Sequence, residues 1–231
     1  MFETISNSDL ITLVTVLAIS ATVSGFMAGL LGVGGGIIMV PALYFAFETL
    51  NFDPSTIMHL SLGTSLAIII PTSIMSTKTH MQYDAVDFKL IKSFGLFVAG
   101  GVLLGTVFAS NLETPRLVLI FSVFAFCVGL FFIFFIEILG ETPRHIPLKI
   151  KSFIGTCIGF ISVPLGIGGG SISVPFMRLF GYSIRNAIGT SAALGFVISV
   201  VGAITMSFSG SMLDDVNSTL SIGYVNIPGF L

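Results

Sequence analysis

Several stretches of this chain, each twenty residues or longer, contain no charged side chain, among them Leu10–Leu31, Ser93–Leu112, Leu117–Ile136 and Ala187–Leu213. About 20 apolar residues make a helix long enough to cross the hydrocarbon core of a bilayer. Over the whole chain 54% of residues are hydrophobic and only 9% are charged, whereas a soluble domain carries about 25% charged residues. Such a chain cannot cover itself with a water-compatible surface, so the sequence predicts an all-α polytopic membrane protein. The net charge of −2 says nothing about nucleic acid, and no basic run suggests such a partner, so none is expected. The N-terminal MFETISNSDL holds no Lys or Arg and does not read as a secretory signal. Cys127 and Cys157 fall inside hydrophobic segments and read as buried small side chains.

Hydrophobic runs and breakers divide the chain into eight segments, at about 10–31, 37–47, 57–75, 93–112, 117–139, 152–165, 171–181 and 187–210. Segments 37–47 and 171–181 are too short to span, since eleven residues reach only about 16 Å at 1.5 Å per residue. Both directly follow three consecutive glycines, in GLLGVGGGIIMVP (Gly29–Pro41) and PLGIGGGSISVP (Pro164–Pro175).

The glycine motifs belong to a longer repeat. Gly32–Gly36 aligns with Gly166–Gly170 at an offset of 134, and LGTSLA (Leu62–Ala67) with IGTSAA (Ile188–Ala193) at 126. AVDF (Ala85–Phe88) answers YVNI (Tyr224–Ile227) more weakly, at 139. Three blocks in the same order indicate an internal duplication, with a first repeat over 1–139 (about five hydrophobic segments) and a second over 140–231 (about three). Repeat one continues through two more hydrophobic segments after AVDF, whereas repeat two stops at GYVNIPGFL. The second repeat therefore reads as truncated, without a closing helix pair. Paired, glycine-interrupted segments in a duplicated hydrophobic chain point to a transporter and to its binding site.

Charge gives the orientation, because cytoplasmic loops carry an excess of Lys and Arg. Lys78, Lys89 and Lys92 lie between the third and fourth segments; Arg144, Lys149 and Lys151 lie between the fifth and sixth; Arg178 and Arg185 border the seventh. If the short segments return the chain to the side it came from, eight of the nine basic residues are cytoplasmic, Arg116 excepted. Glu48, Asp53, Asp214 and Asp215 then fall outside, with the N-terminus. On this count the two repeats are inverted relative to each other.

Irregular backbone at membrane depth is tolerated only where protein or a water-filled cavity satisfies it. Half-helices starting near Ile37 and Ser171 would aim free N–H groups and positive dipole ends inward, and helix N-termini bind anions for that reason. The expected anion site is therefore Gly34, Gly35, Gly36, Gly168, Gly169, Gly170 and Ser171, with no buried cation. Close helix packing on small residues is the competing account of the glycines. The duplicated hydroxyls of Thr64, Ser65, Thr190 and Ser191 either donate to the anion or bond back to their own helices. Pro41 and Pro175 shape the half-helices.

His59 and Arg185 occupy equivalent positions before Gly-Thr-Ser and mark membrane boundaries. Glu137 is either an interfacial residue or a proton-coupling group. His80, Asp84 and Asp87 form a solvated loop, and Asn217-Ser218-Thr219 matches a glycosylation pattern. No G-x-G-x-x-G or phosphate-loop pattern survives, because Ile37 breaks the first and no Lys follows for the second. Neither a metal nor another cofactor is called for.

With these motifs the chain resembles the TauE/SafE family of sulfite exporters. GLLGVGGGIIMVP, PLGIGGGSISVP, LGTSLA, IGTSAA and the AVDFKLIKSFGLFVAGGVLLGTVFAS stretch with Gly101 and Gly105 carry the resemblance. It implies movement of sulfite, sulfoacetate or related organosulfonates by a multi-pass protein of the cell membrane. The leading class is accordingly a secondary transporter of small anions in a lipid bilayer. A passive anion channel, a carrier of other small organic anions, a membrane enzyme using His80 and Asp84, and a non-transporting scaffold are the alternatives. A homo-oligomer is compatible with all of them, and no residue dictates one.

Overall fold

A computed structural model describes residues 15, 17–26, 35–134, 147–210 and 220–230. The described chain is almost wholly helical. Eight helices carry it from α1 (Leu17–Phe26) through α2 (Gly36–Thr49), α3 (Ile57–Met81), α4 (Phe88–Ser110), α5 (Thr114–Phe134), α6 (Leu148–Ser162), α7 (Gly170–Leu179) and α8 (Ile184–Gly210). A two-stranded hairpin, β1 (Ser221–Ile222) and β2 (Val225–Asn226), and a short helix α9 (Ile227–Phe230) follow. Among the described residues three helices, α3, α4 and α8, are long and apolar enough to cross a membrane. Leu96 on α4 is 77% exposed, and Leu103, Leu104 and Val107 are exposed on the same helix. So extended an apolar face is stable against lipid and not against water.

Every segment expected from hydrophobicity is met by a helix, and the disagreements lie at the ends. Helix α3 runs on to Met81, past the expected end at 75, with Lys78 and His80 in a last turn whose carbonyls favour positive charge. Helix α4 starts at Phe88 instead of 93, because Asp87 caps it, its side chain accepting from the Leu90 N–H at 3.0 Å. Charged Lys89 and Lys92 hid this first turn from a reading based on apolar runs. Both cysteines correct the expectation of burial: Cys127 is exposed on α5 and Cys157 only half-buried on α6, and both thiols are free. The hairpin at 221–226 had no counterpart in the segment pattern, where YVNI stood only as a weak repeat.

Helices α3 and α8 pack antiparallel at the centre. Gly202 of α8 lies against Leu66 of α3, and Gly189 near the start of α8 lies against Ala85, just beyond the end of α3. Helices α4 and α6 run parallel and nearly touch backbone to backbone. A Cβ added to Gly101 would stand 2.1 Å from the Thr156 carbonyl oxygen, and one on Gly159 2.0 Å from that of Val98. Small residues permit this approach, and in lipid such close packing is what holds helices together. A hydroxyl pair, Thr106 and Thr205 at 2.7 Å, ties α4 to α8. The core between these helices includes Leu62, Leu66, Ile158, Leu165, Met177 and Ile198, all essentially inaccessible.

Polar contacts divide the two ends. At the end where α3 finishes and α4, α6 and α8 begin, Lys151 Nζ donates to Ser93 Oγ at 3.2 Å and Arg185 donates to the Tyr83 carbonyl. At the opposite end Thr114 Oγ1 donates to the Ser55 carbonyl at 2.7 Å, and Arg116 faces Glu113 at 3.7 Å on an exposed surface. The described basic residues other than Arg116 thus gather at one end, hereafter the basic end. Arg144, Glu137, Asp214, Asp215 and the Asn217-Ser218-Thr219 pattern lie outside the described residues.

Candidate functional site

The backbone reverses at the same point in both glycine motifs. Gly35, which precedes α2, has φ 71° and ψ −10°, and Gly169, which precedes α7, has φ 71° and ψ −8°. This left-handed conformation strains any residue with a Cβ, which is why glycine stands there. Each carbonyl then starts its helix: that of Gly35 accepts from the N–H groups of Ile38 and Met39, and that of Gly169 from Ile172 and Ser173. No side chain caps either helix, so the first N–H groups of α2 and α7 are left for other partners. Pro41 and Pro175 each sit six residues after the cap, inside the helix. A proline there offers no N–H to the carbonyl four residues back, which is Ile37 in α2 and Ser171 in α7.

The two motifs meet. A Cβ on Gly36 would lie 2.3 Å from the Gly166 carbonyl oxygen, so the first turn of α2 rests on the turn that leads into α7. Ser65 Oγ donates to that same Gly166 carbonyl at 2.8 Å. Gly168 packs against Gly195 of α8, and Gly169 against Ser162 and Ile198. On the other motif, Ser24 of α1 donates to the Gly35 carbonyl at 2.8 Å. Gly36, Ser65, Gly168, Gly169, Gly170 and Ser171 are therefore neighbours around one buried junction. Gly34 lies outside the described residues.

Two hydroxyls at this junction are buried without a partner among the described residues. Ser171 Oγ, in the first turn of α7, is one, and Ser173 Oγ is the other; their residues are 1% and 0% exposed. A buried hydroxyl without a hydrogen bond is costly, by about 1–3 kcal/mol on mutational scales, and an unsatisfied group in a native structure calls for an explanation such as a bound ion. Ser173 carries no signal in the sequence, because Met39 stands at the matching place after the other glycine motif. Ser24 and Ser162 likewise carry no local signal.

The Gly-Thr-Ser elements do something different from what their chemistry alone suggested. Thr64 Oγ1 accepts from the Asn226 N–H at 2.9 Å, and Thr190 Oγ1 accepts from the Asp87 N–H at 2.9 Å. The preceding glycines make room for the same loops. A Cβ on Gly63 would lie 2.2 Å from the Tyr224 carbonyl oxygen, and one on Gly189 2.5 Å from that of Ala85. Each helix start is thus plugged by a loop from the other half of the chain. Asp87 and Asn226 match further, since Asn226 Oδ1 accepts from the Gly229 N–H at 2.8 Å as Asp87 Oδ1 does from Leu90. Ser191 Oγ is 3.9 Å from Met177 Sδ and fully buried.

Of the remaining expectations, Arg185 is exposed at the basic end, with its guanidinium 5.7 Å from the Tyr83 ring centre. His59, in the first turn of α3, is 4% exposed, and its ring is enclosed by the chain. Asp87 is drawn into the fold instead of lying in a solvated loop, with Oδ2 accepting from the Tyr182 hydroxyl at 3.4 Å. Burial, and then the Asp87 carboxylate, hold the Tyr182 phenol above its ordinary range. His80 ends α3 and Asp84 takes a left-handed turn at φ 53°. Among the described residues no group of three His, Cys, Asp or Glu could hold a metal ion. A cleft of about 670 Å³ opens between α1 and the second half of α3, with Thr72, Ser76, Thr79 and His80 on its α3 wall and Tyr83 just beyond that helix. Its described lining includes none of the glycine-motif residues.

The sulfite exporter TauE/SafE family model matches residues 17–230. A protein of Haemophilus influenzae named "probable membrane transporter protein" is 27% identical over 95% of this chain and 83% of its own length. A Bacillus subtilis protein with the same descriptive name, YunE, is 26% identical over 84% of this chain and 78% of its own length. A Methanocaldococcus jannaschii protein so named is 24% identical, covering 95% of this chain and 80% of itself. No solved structure matches. With the match running from α1 to α9 and the relatives named as transporters, the chain belongs to the sulfite exporter TauE/SafE family of membrane transporters and is not an enzyme.

Proposed function

We propose that this protein is a multi-pass secondary transporter of the cell membrane that carries small sulfur-containing anions, sulfite or an organosulfonate such as sulfoacetate, through a site at the junction of α2 and α7. The observation that carries the reading is Ser171: a buried hydroxyl without a partner in the first turn of a helix that has no side-chain cap. Free N–H groups and a positive dipole end favour an anion there. The hydroxyls of Ser171 and Ser173 supply donors that a sulfite or sulfonate oxygen accepts. The donors are neutral, so the anion is held without a buried cation whose desolvation would have to be offset.

The two halves, 1–139 and 140–231, act in this reading as inverted repeats. Antiparallel α3 and α8, matching glycine caps and the reciprocal plugs at Thr64 and Thr190 all support it. By the excess of Lys and Arg in cytoplasmic loops, the basic end faces the cytoplasm in this reading.

The test is uptake of radiolabelled sulfite, with sulfoacetate and acetate as comparisons, into vesicles carrying the wild-type chain or Ser171→Ala. Saturable sulfite flux whose half-saturating concentration rises about tenfold or more in the variant supports the site, since a hydrogen bond to a charged group contributes about 1.5–3 kcal/mol. Flux that does not saturate points to a channel, and saturable flux of acetate alone moves the substrate to carboxylates. Equal flux of sulfite in both proteins removes the site from the α7 N-terminus.

A further inference from the structure

The three described helices that are long and apolar enough to cross a membrane, α3, α4 and α8, leave a groove of about 330 Å³ between them. Its walls include Ile74 and Met81 of α3, Phe88 and Ile91 of α4, and Phe196 and Val197 of α8. Ile74, Met81, Phe88 and Phe196 are exposed, and an apolar slot of this kind is at home in hydrocarbon and not in water. Two polar residues of α3, Thr77 and Lys78, stand in the same wall. None of the glycine-motif residues belongs to the described lining.

The groove has a polar end and an apolar end. Met81 is the last residue of α3 and Phe88 the first of α4, so these two, with Lys78 in the last turn of α3, lie at the basic end. Val197 comes 13 residues after Ile184, the first residue of α8, and at 1.5 Å per residue it lies about 20 Å deeper. A lysine in this place lays its methylene stem along the apolar wall and carries its ammonium to the level of the lipid headgroups. Among the described residues Lys78 makes no ion pair. Thr77 is half-buried, and its hydroxyl has no partner among the described residues, whereas Thr72 and Thr79 bond back to carbonyls of their own helix.

From this geometry we infer that the groove binds one anionic phospholipid, with an acyl chain along Ile74, Ile91 and Val197 and the phosphate on Lys78. A free anion would use Lys78 and leave the slot empty. A neutral lipid would fill the slot and leave the ammonium unmatched. An anionic phospholipid uses both, and its ester carbonyls are acceptors of the kind that the Thr77 hydroxyl lacks. The surroundings favour the same headgroup. Seven described basic side chains gather at this end against two acidic ones, Asp84 and Asp87, and Asp87 is engaged with Leu90 and Tyr182. Basic pockets between membrane helices select anionic headgroups over zwitterionic ones for this reason. The inference holds whichever substrate is carried.

Photolabelling of the whole protein in phosphatidylcholine nanodiscs tests it. Two probes carry a diazirine on one acyl chain, a phosphatidylglycerol and a phosphatidylcholine, and each is added at the same mole fraction. Labelling of the groove residues by the phosphatidylglycerol probe should exceed that by the phosphatidylcholine probe about fivefold, the factor to which about 1 kcal/mol per lysine converts. Lys78→Gln should bring the ratio close to one, and Lys78→Arg should keep it. Lys89→Gln should also keep it, because Lys89 shares the basic end but not the described lining of the groove. Equal labelling by the two probes in the wild type overturns the inference, as does a ratio that survives Lys78→Gln or falls equally in Lys89→Gln. Crosslinks from the groove to a second copy of the chain overturn it too, in favour of an interface. If Lys78→Gln does not insert, salt decides on the wild type: a ratio at the groove that falls as salt screens the ammonium supports the inference, and a constant one overturns it.

Discussion

Thr64 accepts a hydrogen bond from the backbone N–H of Asn226 across 162 positions of sequence, at 2.9 Å and out of contact with solvent. Thr190, in the second Gly-Thr-Ser element, accepts from Asp87 in the same way, across 103 positions. The Gly-Thr pair is a socket in which glycine admits a carbonyl and threonine satisfies the N–H two residues later. This socket role leaves Ser65 and Ser191 as the members of each Gly-Thr-Ser element that face the glycine motifs and α7: Ser65 through Gly166, Ser191 through Met177.

Removing the acceptor should therefore cost stability at both sockets. Thr64→Val or Thr190→Val keeps the volume and strands a buried N–H, and we expect a loss of about 1–3 kcal/mol in each. Thr→Ser at the same positions should lose much less. Thermal unfolding in detergent, wild type against the four variants, checks this.

The socket glycines should tolerate nothing larger. A Cβ at Gly189 falls 2.5 Å from a backbone oxygen that cannot turn aside, so Gly189→Ala should destabilise by about 1–3 kcal/mol. Gly100 in the middle of α4 has nothing within 4 Å. Gly100→Ala should be neutral or raise stability by up to about 1 kcal/mol, from helix propensity. Midpoints of thermal unfolding for the two variants should move in opposite directions or differ clearly in size.

Asp87 acts on α4 through its side-chain cap, which needs an acceptor oxygen and no charge. Asp87→Asn should keep the stability within about 0.5 kcal/mol, and Asp87→Ala should lose about 1 kcal/mol, because asparagine and aspartate cap equally well. Denaturant titration of helical signal separates the two.

Ser173 should behave as a second hydroxyl of the anion site. Ser173→Ala should weaken sulfite flux in the same direction as Ser171→Ala, while both proteins insert normally. Removing an unpartnered buried hydroxyl should leave the substrate-free protein as stable as before, or more so. Lower stability without substrate would show that the hydroxyl serves packing.

Much of the architecture was legible before any coordinate. Membrane-length apolar runs, breakers and the paired glycine motifs placed the eight helices, including the two short ones, to within a few residues at most ends. These signals are local: hydrophobic length sets a span, and φ 71° at Gly35 and Gly169 requires glycine where the chain turns. The helix starts were less legible, because a cap such as Asp87 acts through one side chain and not through a run of apolar ones.

Only the tertiary structure decided what the repeated motifs touch. That Gly63 receives Tyr224 and Gly189 receives Ala85 depends on loops more than a hundred residues away in sequence. The enclosure of His59, the meeting of Gly36 with Gly166, and the burial of Ser171 and Ser173 come from antiparallel packing of α3 and α8 with the half-helices between them. Local composition fixes how long an element is and where it breaks. Which faces close on one another depends on the space that every other helix leaves, and no short window of sequence contains that.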